Sequence, residues 1–178
     1  LKAAHDSQIY DLENKIAVGF PQEIQRCKEL VVNLTADAAT VQAHTHKDAE
    51  GKDIFSMQLM EKTYTEKEPA GKALLGLLGV ALDTEKPVPI GNYKGLALQV
   101  SHAVFGNVFS VKLVGAGTYT AELGNDVLGN LTRISNLANG IEPNIEKIKA
   151  KQARLEQQLA SAEEEVKPVS YTHLRAHE

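Results

Sequence analysis

The sequence predicts an α+β protein in which a small antiparallel β-sheet with one packed helix is inserted in a long antiparallel helical (coiled-coil) hairpin. Two observations predict this class. Near both ends of the chain, apolar residues recur every three or four positions, as on one face of a helix. Between these stretches the apolar period falls to two, as on a half-buried strand. We expect an N-terminal helical arm over residues 1–50, a sheet module over 51–124 and a long C-terminal helix over 125–168.

The N-terminal arm is predicted from apolar side chains that share one helical face. Charged residues such as Glu23 and Arg26 lie between them, as a solvated face requires. Gly19 and Pro21 interrupt the pattern and predict a break near residues 19–21. The apolar stripe consists of Ile9, Leu12, Ile16, Phe20, Ile24, Cys27, Val31, Leu34, Ala38 and Val41.

The C-terminal arm carries the same period. About forty residues in one phase would form roughly 60 Å of helix. Gly140 and Pro143 predict a kink near residues 140–143. The stripe consists of Val127, Leu131, Ile134, Ala138, Ile141, Ile145, Ile148, Gln152, Leu155, Leu159, Ala162 and Val166.

Matching stripes on either side of a compact insert favour antiparallel packing of the two arms. The register that aligns them brings Val41 near Val127 and Leu12 near Leu155. The alternative is that the arms form a rod that binds a partner. We prefer self-pairing, because each arm supplies the apolar surface that the other needs.

The sheet module is predicted as ββαβββ. Phe55–Met60 alternates, and Thr63–Thr65 is expected to return as a second strand. Thr65 and Glu68 form a capping-box pattern with Pro69 in the first turn, which predicts the start of the helix.

The prolines of Lys86–Pro89 are expected to end that helix. Three strands are then expected over Tyr93–Ala103, Asn107–Val114 and Thr118–Leu123, separated by turns rich in glycine. Asn125 and Asp126 are expected to cap the final helix.

Composition limits the class of function. A net charge of −4 argues against a main surface that binds phosphates. The single cysteine, Cys27, excludes an internal disulfide and fits a reducing compartment. No apolar run approaches the roughly 18 to 20 residues that a membrane span needs. We therefore expect a cytoplasmic fragment without membrane contact.

The residues that carry chemistry in other proteins form no complete motif here. Gly71-Lys72 is followed by Ala73, so the phosphate-loop pattern fails, and the glycines at 115 and 117 indicate a tight turn. His44 and His46 with Asp48 are weak candidates for metal ligands and are better explained by a solvated helix end. We expect Cys27 to be a buried thiol and His102 to be a packing residue. We therefore predict no catalytic, cofactor-binding or metal-ligating residue in this chain.

Aromatic residues in the module offer a second test for function. They are candidates for stacking nucleic-acid bases, but strand aromatics are more often core, and the module has no clustered basic stripe. These residues are Tyr64, Tyr93, Phe105, Phe109 and Tyr119.

The last ten residues, 169–178, break every preceding pattern. They are similar to the translation of sequencing-adaptor DNA that occurs in assembled environmental sequences. We interpret this segment as an artefact of a metagenomic fragment and exclude it from the inference of fold and function.

Several short motifs together resemble the C-terminal region of large helicase and DNA-methylase proteins of bacterial conjugative elements. These proteins combine a Swi/Snf-type helicase with an adenine methylase. The resemblance extends from about Tyr10 to Pro168. The motifs are Phe55-Ser-Met57, Lys62-Thr-Tyr-Thr-Glu-Lys67, Ala70-Gly-Lys-Ala-Leu74, Pro87-Val-Pro-Ile-Gly91, Tyr93-Lys-Gly95 and Leu128-Gly-Asn-Leu131.

The resemblance implies a parent protein of the bacterial cytoplasm that uses ATP, Mg²⁺ and S-adenosylmethionine. The nucleotide loop, the Asp-Glu-x-His box and the Asn/Asp-Pro-Pro-Tyr signature of that parent match no position here, so no catalytic residue is carried over. The expected function is a non-catalytic accessory or interaction module. Its expected partner is the rest of the parent chain, with DNA reached through the parent. The alternatives are a module that contacts DNA weakly and a stand-alone coiled-coil adaptor.

Overall fold

The computed structural model describes the backbone of residues 2–176 and the side chains of residues 6–166. It has the predicted α+β class, with long helices and one antiparallel sheet. The chain divides into two compact units, Leu1–Val32 with Ile145–Glu178, and Asn33–Asn144. The side chains of the segment interpreted as an adaptor translation lie outside the described residues. Over the described part of the chain, no helix has both the length and the apolar content to cross a membrane.

The N-terminal helix continues through the point where a break was predicted. A five-residue π-helical turn replaces the break, and in it the N–H of Phe20 donates to the carbonyl of Lys15. Pro21 has no N–H to donate, and a π turn is one way in which a helix accommodates such a gap. The elements are α1 (Lys2–Asn14), the π turn (Lys15–Gly19) and α2 (Phe20–Ala43).

The first unit is held together by apolar side chains at predicted stripe positions. Ile24, Cys27 and Leu155 are buried together, and Phe20, Ile148 and Leu159 pack against them. The predicted register is wrong, because Leu155 lies in the cluster of Ile24 and Cys27 rather than opposite Leu12. Leu12 and Ile24 are about 18 Å apart along a helix, so the error exceeds one heptad.

The second unit contains a six-stranded antiparallel sheet in the order β2-β1-β3-β4-β5-β6. The sheet has one strand more than predicted, so the order of elements is ββαββββ. The strands are β1 (Met57–Leu59), β2 (Lys62–Tyr64), β3 (Val88–Tyr93), β4 (Leu96–Ala103), β5 (Val108–Val114) and β6 (Thr118–Leu123).

The additional strand, β3, contains Pro89, which the sequence analysis took as the end of the preceding helix. Strand β1 pairs only with the later part of β3, from Gly91 to Tyr93, so Pro89 lies beyond that contact. On the other side, the register with β4 shifts between Pro89 and Gly91. A proline is tolerated in a sheet at such an irregularity, because no ladder hydrogen bond is lost there.

The strand predicted from Tyr93 to Ala103 is divided by a two-residue turn. Lys94 and Gly95 have φ angles of 48° and 81°. Two consecutive residues with positive φ are typical of the hairpin turn whose twist matches that of the flanking strands. Tyr93 therefore ends β3, and Leu96 begins β4.

The helix between β2 and β3 begins without the predicted capping box. Its N-cap is Glu66, which makes no side-chain capping hydrogen bond, although Pro69 lies in the first turn as expected. A Cβ at Gly71 would lie 2.5 Å from a methyl group of Val127, so this glycine permits close helix packing. The helix is α3 (Lys67–Leu77), followed by a 3₁₀ turn (Leu78–Ala81).

The C-terminal helix is two helices that meet at Gly140, near the kink predicted for residues 140–143. They are α4 (Val127–Asn139) and α5 (Ile141–Ala176). Asp126 precedes α4 as expected but makes no side-chain capping hydrogen bond. Helix α4 contacts α3, β5 and β6. Ala38 and Val41 of α2 line one cavity with Ala138 and Asn139, at the other end of α4 from Val127. The predicted pairing of Val41 with Val127 is therefore wrong.

Strand alternation directs one face of the sheet into the core. Leu98 and Val100 of β4 are fully buried, as are their cross-strand partners Leu113 and Val111 of β5. The residues between them, such as Gln99, are only partly buried. This is the one-sided alternation that the sequence predicted.

Candidate functional site

The most completely bonded polar group of the second unit is the carboxylate of Asp37 on α2, whose side chain is buried. One carboxylate oxygen accepts the N–H of Ala116 at 2.7 Å. The other accepts the N–H of Gly117 at 2.8 Å and the hydroxyl of Tyr119 at 2.6 Å. We call these four residues the Asp37 cluster. Because all three donors belong to the β5–β6 turn and the start of β6, the cluster fastens that turn to α2.

Tyr119 is held as a proton donor by this arrangement. Burial of its hydroxyl, followed by the hydrogen bond to Asp37 and the charge of that carboxylate, raises the pKa of Tyr119 far above its usual range. The phenol therefore stays protonated and donates to Asp37. A tyrosine poised to lose its proton would need the opposite shift, so the chemistry of the pair is structural.

Backbone geometry explains why glycine lies in this turn. A Cβ at Gly115 would overlap a carboxylate oxygen of Asp37 and would lie 2.7 Å from a side-chain carbon of Leu96. Because Gly115 has no side chain, the carboxylate of Asp37 fits beside it. The glycines at 115 and 117 predicted a tight turn, but no local pattern predicted that Asp37 is its hydrogen-bond acceptor.

A second polar group surrounds Lys94, whose side chain is only 9% exposed. Its ammonium lies 3.3 Å from Asp53 Oδ2, and Lys47 lies 3.2 Å from Asp53 Oδ1. Lys94 also approaches the side-chain oxygen of Asn139 at 3.5 Å. We call these four residues the Lys94 cluster. It ties the β3–β4 turn to the segment after α2 and to the end of α4.

The Lys94 cluster lines a cavity of about 220 Å³, which Gln42, Thr45 and Glu142 also line. Hydrogen bonds from Lys47 and then Lys94 hold the pKa of Asp53 below its usual range. The two ammonium groups and the two carboxylates balance in charge. The charged residues that line the cavity therefore carry no net charge.

The second buried polar residue, Asn130 of α4, closes the connection between β6 and α4. Its side-chain oxygen accepts the N–H of Gly124, and its side-chain nitrogen donates to the carbonyl of Gly124, both at 2.9 Å. Arg133, one turn later, donates to the carbonyl of Glu122 at 3.0 Å. These bonds satisfy the backbone where the chain leaves the edge strand.

Two of the residues considered as metal ligands, His44 and Asp48, have other side-chain partners. A ring nitrogen of His44 lies 2.8 Å from the carbonyl of Thr40, and Asp48 accepts the N–H of Glu50 and of Lys52 within its loop. No group of three or more His, Cys, Asp or Glu side chains is placed to hold a metal ion in the part of the chain that the structure describes. Cys27 is a buried thiol, as predicted.

Most of the aromatic side chains belong to the covered side of the sheet. Tyr93 is buried, Tyr119 bonds to Asp37, and Phe109 packs against the ring of His102 at 4.7 Å between centroids. The preferred explanation of these aromatics as packing residues holds for all three. Phe105 is the exception, since it is 96% exposed.

Phe105 and Val104, which is 82% exposed, form the tip of the β4–β5 hairpin. We call this pair the hairpin knob. Gly106 and Asn107 have φ angles of 83° and 51°, and a nitrogen of the His102 ring lies 2.6 Å from the side-chain oxygen of Asn107. The turn that presents the knob is therefore built from specific backbone and side-chain contacts.

An apolar groove of about 380 Å³ lies between the β1–β2 hairpin and α3. Met60, at its rim, is 56% exposed. A Cβ at Gly76 would meet nothing within 4 Å, so the groove is open above this glycine. We call it the α3 groove, and its lining residues are Leu59, Met60, Glu61, Lys62, Tyr64, Ala73, Gly76 and Leu77.

The Asp37 cluster is the feature that the sequence analysis missed. Asp37 follows Leu34 by three residues and precedes Val41 by four, so it lies on the apolar stripe of α2. An acidic residue on such a stripe is a signal that a buried partner is required. Its partners lie about eighty positions later in the chain, and no local pattern identifies them.

Comparison with known proteins identifies no relative. No protein-family model, no curated protein and no solved structure matches this chain.

Proposed function

We propose that this chain is a non-catalytic accessory and interaction module at the C-terminal end of a large DNA helicase and methylase of a bacterial mobile element. The proposal rests on the resemblance of its motifs to that region. The observation that supports it best is the use of the buried polar groups. Asp37 and Asn130, the polar residues that are buried among those whose side chains the structure describes, bond to the backbone and side chains of their own unit.

Such bonding suits a scaffold that presents a surface. A catalytic carboxylate or amide needs a lone pair or a proton directed at a substrate, whereas both oxygens of Asp37 are occupied by internal donors. The partner proposed is the rest of the parent chain in the bacterial cytoplasm, and the cofactors of the parent would bind outside this fragment.

The reading frame upstream of Leu1 provides the first test. We expect it to continue without a stop codon into a segment with helicase motifs. A stop codon directly before a start codon near Leu1 would contradict the proposal and favour the stand-alone adaptor. The purified chain is expected to hydrolyse no ATP and to transfer no methyl group. Turnover that co-purifies with the chain and disappears in an Asp37→Asn variant would also contradict it.

Weak contact with DNA is a second candidate, favoured by one observation on α5. Lys147, Lys151 and Arg154 are exposed and follow one another by four and three residues, so they share one flank of the helix. Three phosphate contacts would give a salt-dependence slope of about −2.7 for duplex DNA. We expect affinity no tighter than the micromolar range at physiological salt. Changing all three residues to Gln should abolish this binding, while changing Lys62, Lys72 and Lys86 to Gln serves as the matched control.

A further inference from the structure

We propose that two copies of this chain associate by inserting the hairpin knob of each into the α3 groove of the other. The partner is therefore a second copy of the chain, and the inference does not depend on the proposed function. Both surfaces belong to the unit Asn33–Asn144.

The knob is an apolar projection that its own unit leaves uncovered. Val104 is 82% exposed and Phe105 is 96% exposed. From Gly95 to Val111 the sequence contains no Asp, Glu, Lys or Arg, although these residues make up 24% of the chain. An uncharged tip does not favour a phosphate backbone or an anionic membrane surface, both of which select for cations. It favours an apolar, uncharged pocket on a protein.

The α3 groove has the chemistry of such a pocket. Its walls are mainly apolar, and the two charges at its rim, Glu61 and Lys62, are opposite in sign. Its volume of about 380 Å³ exceeds that of a Phe side chain and a Val side chain together. Gly76 adds space, because nothing lies within 4 Å of the position that its Cβ would take. A glycine inside a helix is unfavourable, and no close contact within the described chain requires this one.

The sheet register places the knob and the groove at the same end of the sheet. Leu59, at the end of β1, pairs with Gly91, which pairs with Leu98 of β4. Beyond that level, β1 turns at Met60, and β4 continues toward the knob. A two-fold axis at this end therefore permits reciprocal insertion, in which each copy fills the groove of the other.

The area that such an arrangement covers predicts a weak, reversible dimer. Burial of one aromatic side chain removes roughly 150–250 Å² from water. With the two valines and the groove walls included, two reciprocal insertions would cover less than the roughly 1,200 Å² at which specific, stable interfaces begin. We therefore expect a dissociation constant in the micromolar range or weaker.

Sedimentation velocity of the full chain, from about 10 µM to 1 mM, tests the proposal. We expect a concentration-dependent dimer whose dissociation constant rises at least about tenfold in Phe105→Ser, since a buried aromatic anchor is removed. Gly76→Gln should have a similar effect because it fills the groove. Neither change threatens folding, because Phe105 is exposed and the position above Gly76 is open. Far-ultraviolet circular dichroism checks this.

Two matched controls separate the groove and the knob from general surface effects. Gly79→Gln introduces the same side chain at a glycine that also has nothing within 4 Å but does not line the groove. Leu128→Ser removes an apolar side chain that is 52% exposed at another site. Both controls should dimerise as the unaltered chain does.

A mixing experiment provides the most specific test. Phe105→Ser retains the groove, and Gly76→Gln retains the knob, so an equimolar mixture restores one knob–groove contact. We expect the mixture to associate more strongly than either variant alone. A chain that stays monomeric at every concentration overturns the proposal. So does a dimer that neither variant weakens, or a mixture that associates no better than its components.

Discussion

Removal of the Asp37 carboxylate is expected to destabilise the unit Asn33–Asn144 more than any exposed substitution. Asp37→Ala leaves three donors without their acceptor, namely the N–H groups of Ala116 and Gly117 and the hydroxyl of Tyr119. An unsatisfied buried donor costs about 1–3 kcal/mol. The turn is only partly buried and water can reach some of these groups, so we expect a total loss of about 3–5 kcal/mol.

Urea denaturation followed by circular dichroism measures the free energy of unfolding, and hydrogen exchange of β5 and β6 reports whether the loss is local to the turn. We expect protection of these strands to fall with the free energy, since they carry the donors. Asp37→Asn retains one acceptor oxygen and should lose only about 1–2 kcal/mol. The matched control is Asp83→Ala, at an exposed acidic residue, which should change stability by less than about 0.5 kcal/mol.

A double-mutant cycle with Tyr119→Phe isolates one of the three bonds. The two residues are in direct contact, so we expect a coupling energy of about 0.5–3 kcal/mol. A loss below about 1 kcal/mol in Asp37→Ala, or a coupling energy of zero, would refute the conclusion that this carboxylate fastens the turn to α2.

Three further predictions concern titration and packing. Because the pKa of Tyr119 is raised above its ordinary value of 10.0, its stabilising contribution is fully present below pH 10 and is lost as the pH rises further. The free energy of unfolding should therefore fall less steeply above pH 10 in Tyr119→Phe. Because the pKa of Asp53 is held below its ordinary value of 3.8, its contribution is present above that value and is lost as the pH falls below it. In Asp53→Asn, the loss of unfolding free energy at acid pH should be smaller by less than about 1 kcal/mol, since Asp53 is exposed enough for solvent screening. Carboxyl NMR titration of the unaltered chain measures the pKa shift of Asp53 directly. Gly91→Ala should destabilise the unit by more than about 2 kcal/mol, because its Cβ would overlap the backbone carbonyl of Gln58. Gly76→Ala, at an open helical position, should instead stabilise it by about 0.5–1 kcal/mol, and equal effects of the two substitutions in thermal unfolding would contradict this account.

The sequence predicted the elements that depend on local periodicity. Leu98, Val100, Val111 and Leu113 alternate along their strands, and all four are buried as expected. The helices and the β1–β2, β4–β5 and β5–β6 hairpins followed from local spacing and turn residues, whereas the turn at Lys94 and Gly95 was predicted as continuous strand. Another local rule that failed was the treatment of Pro89 as the end of a helix without a following strand. A proline is compatible with a strand when the neighbouring strand ends before it, and that condition depends on a residue elsewhere in the chain.

Local patterns did not decide which element of the chain each apolar helix face packs against. The stripe at Val127, Leu131 and Ile134 has the phase of a continuous arm, and the same phase serves equally well for packing on a sheet. Gly71 decides between them, since it lets α3 approach Val127 closely. Val127 then packs against α3, while Val41 of α2 lines a cavity with Ala138 at the opposite end of α4, so the register of the arms predicted from phase alone is wrong.

The sequence by itself therefore determined the α+β class, the positions of most strands and turns, and the apolar faces of the helices, because each depends on residues within one or two turns of one another. Only the tertiary structure decided that Asp37 binds the turn at residues 115–117 and that Lys94 binds Asp53. Only the tertiary structure decided that Phe105 is exposed. These facts depend on which segments, forty to eighty residues apart in the sequence, contact one another in the fold. Such contacts produce no periodic pattern along the chain.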